Sequence, residues 1–227
     1  MNPLVSLGEY IFPRSCHLCG LRLSPHERYI CTSCLARLPR TLYHRQSDNP
    51  MAQRFMGIVP YVRATGHFFY SRHSDLAELI HDFKYKKFRG LAGHLGAVVA
   101  TELIPTGFLS DIDLVVPVPM HFLKQARRGY NQAAEVARGL ARAASIPMCQ
   151  SLKAVHAHRT QTSMTLDGRR RNVEGLFQLT DSTELEGRNV LLVDDVCTTG
   201  STLAEAALAI LDHADAQISM LTLGVTF

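Results

Sequence analysis

Apolar and polar positions along this chain follow two alternating periods. In SDLAELIHDF, residues 74–83, Leu76, Leu79, Ile80 and Phe83 recur at helical spacing, and Asp75 with Glu78 three residues later has the form of a capping box. Between Asp111 and Pro119 a short apolar run ends in prolines, which predicts a buried strand running into a loop. Ala133, Val136, Ala137, Leu140 and Ala144 then mark one face of a second helix. NVLLVDD, residues 189–195, follows a turn signal at Gly187 and reads as another buried strand. STLAEAALAILDHA, residues 201–214, predicts a helix with Leu203, Ala207, Ile210 and Leu211 inward, and ISMLTLGVTF, residues 218–227, a closing strand. Strands alternating with helices imply an α/β fold, a parallel sheet flanked by helices. Ligands in such sheets bind beyond the C-terminal strand ends, so the loops after Val118 and Val193 become the places to look for chemistry.

Composition narrows this only a little. A hydrophobic share of 46% with 19% charged residues is ordinary for a globular chain and excludes wholesale disorder. The formal net charge of +4 suits anionic ligands but falls short of the strong basic stripe of a dedicated nucleic-acid binder. No apolar run approaches the roughly 18 residues of a membrane span, and no charged start followed by an apolar run marks a secretory signal. A cytoplasmic protein without membrane insertion is therefore expected, in which paired cysteines point to metal before disulfide.

Cys16 and Cys19 form one C-x2-C pair and Cys31 and Cys34 a second, with eleven residues between them. That spacing lets two tight knuckles present four thiolates to one tetrahedral structural zinc, leaving no open coordination position for catalysis. His17 and His26 are surplus to this set and read as solvated. Arg14, Arg22, Arg28, Arg37 and Arg40 are either contacts for nucleic acid or a partner, or a solubilising surface. The expected division is a zinc-ribbon module at residues 1–43, a polar Pro-containing linker at 44–56 and an α/β domain at 57–227.

VLLVDDVCTTGST, Val190 to Thr202, sets two aspartates beside a run of small hydroxylated residues around one glycine. Backbone amides around Thr198, Thr199, Gly200, Ser201 and Thr202, at a helix N-terminus, suit a monophosphate. Asp194 and Asp195, just before the loop, suit the hydroxyls of a vicinal diol. A ribose 5-phosphate satisfies both. A Walker loop is excluded because no lysine follows Gly200, and no G-x-G-x-x-G is present.

This stretch resembles the thirteen-residue phosphoribosyl pyrophosphate (PRPP) motif of type I phosphoribosyltransferases. The wider chain resembles the ComF/GntX group of competence- and DNA-utilisation-associated proteins, in which a four-cysteine ribbon precedes a phosphoribosyltransferase-like domain. The resemblance is carried by the four cysteines, FKYKKFRG (residues 83–90), VPVPMHFLKQARRGYNQA (116–133), HRTQTSMTLDGRRRNVEGLF (158–177) and the motif. It implies that the loop after VVPVP holds pyrophosphate, with backbone amides at Met120 and His121 and charge from Lys124, Arg127 and Arg128. It also implies a mobile hood at residues 158–172 bearing Arg159, Arg169, Arg170 and Arg171. Magnesium would bridge pyrophosphate and ribose hydroxyls, while Asp194 and Asp195 would stabilise an oxocarbenium-like state. Thr198 stands where enzymes acting on 6-oxopurines place an aspartate, and no N-terminal cysteine supports amidotransfer.

Two functions follow. One is an enzyme-like protein of nucleotide metabolism that binds Mg-PRPP and transfers or releases its parts, linked to uptake or use of extracellular DNA. The other is a non-catalytic PRPP-sensing or binding module whose ribbon and basic loops engage single-stranded DNA or a DNA-processing protein. In that case Tyr85 and Phe88, among Lys84, Lys86, Lys87 and Arg89, would stack on bases, whereas Phe83 reads as core. Cys197 reads as a spectator and Cys149 as packing.

Overall fold

The computed structural model describes residues 14–86, 88–155 and 175–227. Four parallel strands form the main sheet: β1 (Arg63–Phe69), β2 (Leu114–Pro117), β5 (Arg188–Cys197) and β6 (Ala216–Val225), in the order β1-β6-β5-β2. Two short strands, β3 (Leu152–Ala154) and β4 (Phe177–Leu179), pair antiparallel beside it. The helices are α1 (Thr32–Arg37), α2 (Asp75–Tyr85), α3 (Arg89–Leu103), α4 (Phe122–Arg128), α5 (Gln132–Ala144) and α6 (Ser201–Leu211). The α/β parallel sheet expected from the sequence is present. β1 and α3 were not anticipated.

Strand alternation divides the core between two faces. Leu191 and Val193 of β5, with Leu221 and Leu223 of β6, join the cluster that holds α2, α3 and α5. Val190 and Leu192, with Ile218 and Met220, join the opposite cluster under α6. α3 and α5 meet closely because Gly139 sits against Gly93: a Cβ on Gly139 would lie 1.8 Å from the Gly93 carbonyl oxygen. Ser74, one residue before the expected Asp75, caps α2 by accepting from the Ala77 amide at 3.2 Å.

The cysteine segment packs onto the α2 and α3 face, where Cys16, Leu23, Ile30, Cys34 and Leu38 are buried in the same cluster. The chain then runs along the outer edge of β1, with Phe69 N donating to Pro39 O at 2.8 Å and Thr41 N to His67 O at 3.0 Å. Residues 44–56, expected as a linker, carry fully buried Met51, Ala52 and Phe55 in the cluster under α6. Asn49 organises that stretch: its side-chain oxygen accepts from the amides of Met51 and Ala52, and its amide donates to Ala64 O at 2.9 Å. The segment is polar in composition because its buried asparagine is satisfied by backbone, which a hydropathy pattern does not reveal.

Candidate functional site

The C-terminal ends of β2 and β5 open into a cavity of about 220 Å³. Met120, His121, Lys124, Arg128 and Asn131 from the segment after β2 line it together with Asp194, Asp195 and Thr202, Lys84 of α2 and Phe177 of β4. The two loops expected to carry chemistry therefore converge, since β2 and β5 are adjacent parallel strands joined at Val118 N to Val193 O, 2.9 Å. β5 runs four residues past Val193, however, so the two aspartates belong to the strand and the loop begins after Cys197. The arginines expected in the hood, within 158–172, lie outside the described residues.

Alternation along β5 explains where Asp195 points. It follows Leu191 and Val193 toward the α2 face, and there Lys84 Nζ meets Asp195 Oδ2 at 2.6 Å. Asp194 Oδ1 accepts from the Asp195 amide at 2.8 Å. Withdrawal from water, then the neighbouring Asp195 charge, pushes the Asp194 carboxyl up to about 7, against the lowering effects of that amide and of Lys84. A group with a proton to lose near neutrality, beside a charged partner, is suited to exchanging hydrogen bonds with hydroxyls.

Gly200 begins α6 with φ +85°, and a Cβ there would lie 2.9 Å from the Phe55 ring. Both constraints require glycine. Gly200 offers α6 no capping side chain, and the Ser201 amide donates to the Thr199 hydroxyl at 3.4 Å. Thr199 and Ser201 hydroxyls lie 2.9 Å apart in a mutual hydrogen bond. Of the expected loop residues Thr202 lines the cavity, whereas Thr198, Thr199, Gly200 and Ser201 are not among its lining residues. Arg54 holds the loop from beneath: its guanidinium donates to the Thr198 carbonyl, to Cys197 O at 3.3 Å and to Thr226 O at 2.6 Å. Cys197 is buried, and burial raises its thiol pKa despite the nearby Arg54.

In the segment after β2, His121 Nδ1 accepts from the Leu123 amide at the start of α4, and Asn131 caps α5 while donating to Val118 O at 2.9 Å. Arg128 donates to Gln132 at 3.0 Å and lies over the Tyr85 ring at 5.5 Å. Arg54 and Lys84 are the residues that reading the sequence for a site missed. The only signal for Lys84 was its basic, aromatic neighbourhood, and Arg54 gave none.

The four cysteine sulfurs lie within 4.8 Å of one another, Cys19 and Cys31 Sγ 3.8 Å apart. A zinc tetrahedron with bonds of ~2.3 Å has edges of about 3.8 Å, so the set fits zinc. Cys31 N donates to Cys16 Sγ at 3.3 Å and Arg37 to Cys34 Sγ at 3.2 Å. His17 is not solvated as expected: its Nδ1 pairs with Asp82 Oδ2 of α2 at 3.0 Å, while His26 is exposed. Arg37 and Arg40 are committed internally, Arg40 to Glu102 at 2.6 Å, which removes two of the five arginines offered as partner contacts.

Residues 119–223 match the phosphoribosyl transferase domain family. Competence protein F of Haemophilus influenzae is 42% identical over 95 residues, covering 41% of this chain and 42% of that protein's length. DNA utilization protein YhgH of Escherichia coli O157:H7 is 28% identical over 220 residues, covering 92% of this chain and 95% of that one. The chain is thus similar to competence and DNA-utilization proteins and carries a stretch that matches the phosphoribosyl transferase domain. Among solved structures, glutamine phosphoribosylpyrophosphate amidotransferase from B. subtilis is 20% identical, covering 58% of this chain and 26% of that one, with a TM-score of 0.43. The matched stretch 119–223 contains the cavity-lining residues from Pro119 to Thr202. Lys84 and Arg54 lie before the matched stretch. Among the described residues no helix is long and apolar enough to cross a membrane.

Proposed function

We propose that this cavity binds Mg-PRPP and that the chain acts as a phosphoribosyltransferase-like protein in the handling of DNA or its nucleotides. The observation that carries the reading is the gathering of both signs of charge in one cavity at the strand ends: the Asp194 and Asp195 carboxylates together with Lys84, His121, Lys124 and Arg128, with Thr202 of the first turn of α6. A molecule that carries phosphate, a diol and diphosphate suits that combination of groups. Asp194 and Asp195 accept from the ribose hydroxyls, the Thr198 to Thr202 loop holds the 5-phosphate, and Met120, His121 and Arg128 hold the diphosphate. Magnesium, when bound with the ligand, neutralises diphosphate charge and eases its departure. In transfer, the bond from the anomeric carbon to the diphosphate oxygen breaks with its electron pair leaving on diphosphate, and an acceptor bonds to that carbon. The aspartates stabilise the positive charge that develops on the sugar.

The division into a zinc ribbon at 1–43 and a transferase-like domain belongs to the same reading, with zinc structural and the protein cytoplasmic. A second reading, contact with single-stranded DNA or a DNA-processing partner, draws on Tyr85 and Phe88, which are 61% and 41% exposed beside basic residues. Calorimetric titration with PRPP and magnesium tests the first: saturable binding is expected for the native protein and its loss for Asp194→Asn/Asp195→Asn. If the native protein takes up no PRPP but binds single-stranded DNA in a salt-sensitive way, the second reading stands instead.

A further inference from the structure

Lys84 belongs to the FKYKKFRG stretch, but its tie to the site is geometric: its ammonium meets Asp195 in the cavity. Its helix is fixed on other sides: Leu76, Leu79, Ile80 and Phe83 are buried, Asp82 is held by His17, and the Phe83 carbonyl accepts from the Tyr130 hydroxyl. The Lys84 side chain is 18% exposed and that of Asp195 14%, so this ion pair is largely withdrawn from water. Both ends of the pair line the cavity that Arg128 and Lys124 also line. A diol that takes the Asp195 carboxylate competes with the ammonium for the same oxygens. A displaced ammonium in so sheltered a place needs another anion within reach.

We infer that Lys84 is an exchangeable counter-ion of the site: it holds Asp195 when the site is empty and passes to the diphosphate when the ribose hydroxyls take Asp195. This rests on the PRPP reading above and adds a binding residue to it. The anchored helix fixes the root of the side chain, so the exchange needs only rotation of its flexible stem. Loss of the lysine then has opposite consequences for the two halves of the ligand. The diphosphate half loses a cation, whereas the sugar half loses a competitor.

The test is calorimetry with two fragments, magnesium pyrophosphate and ribose 5-phosphate, on the native protein, Lys84→Met and Lys84→Arg. Lys84→Met is expected to weaken pyrophosphate on the order of tenfold or more, to leave ribose 5-phosphate bound as tightly or more tightly, and Lys84→Arg to restore much of the pyrophosphate affinity. Equal weakening of both fragments would show that Lys84 only shapes the cavity, and unchanged pyrophosphate affinity would show that it never leaves Asp195. Either overturns the inference while PRPP binding by the native protein still stands. Failure of the native protein to bind PRPP or either fragment overturns the underlying reading itself.

Discussion

The cysteine cluster and the cavity at the sheet's end are built in opposite ways. Four cysteines from a short stretch, Cys16 to Cys34, form the first, and the groups that contact their sulfurs, such as Arg37 and the Cys31 amide, are neighbours in sequence. The second gathers α2, the β2 loop, α4, β5 and α6, and its supports include Arg54, far away in sequence. A local site is held by whatever fills it. A distributed site is held by the fold, and only its filling depends on ligand.

Removing the filler should therefore have its largest effect at the cysteines. Chelation, or Cys16→Ser, is expected to lower the thermal midpoint by roughly 10 °C or more, because Cys16, Ile30, Cys34 and Leu38 belong to the core that holds α2 and α3. Calorimetry before and after zinc is returned measures it. A midpoint indifferent to chelator would make the cluster a passive packing element.

The cavity should respond less in stability and more in binding. Arg54→Met removes donors to the Cys197, Thr198 and Thr226 carbonyls. It is expected to cost about 1–3 kcal/mol of stability, with a fall in PRPP affinity of roughly tenfold, because the loop loses its support from beneath. Denaturant unfolding and titration separate the two. Affinity unchanged in a destabilised protein would show that the loop holds its shape alone.

The smallest effect is electrostatic. An Asp194 carboxyl at about 7 in the fold, against 3.8 ordinarily, binds more protons folded than unfolded between those values. Its contribution to stability is therefore present at low pH and declines as pH rises through 7. Asp194→Asn is expected to flatten that decline and to raise the ligand-free midpoint at pH 8 by a few degrees, on the order of 1 kcal/mol. A variant less stable than the native protein at pH 8 would contradict the sign.

The same contrast decides what could be read from the sequence. Cys16 to Cys34 and Val190 to Thr202 are contiguous, so spacing alone placed their residues together, and helices such as α2 and α5 announced their buried faces by period. β1 was hidden because Thr65 and His67 are polar yet buried, which breaks the expected alternation. α3 was hidden by Gly90, Gly93 and Gly96, which weaken helix propensity but allow close packing, Gly90 against Tyr29 and Gly93 and Gly96 against α5. Lys84 and Arg54 were out of reach because their partners lie more than a hundred positions away, and only the folded sheet brings them together. The segment 44–56 looked like a linker because what it packs against is equally remote in the chain.

The most direct test of the central reading is phosphorus NMR of PRPP with magnesium and the zinc-loaded protein, which reports the 5-phosphate and the diphosphate separately. Perturbation of both signals is expected, with Arg54→Met relieving mainly the 5-phosphate and Arg128→Met mainly the diphosphate. Signals unchanged by the folded native protein would contradict a PRPP site in this cavity.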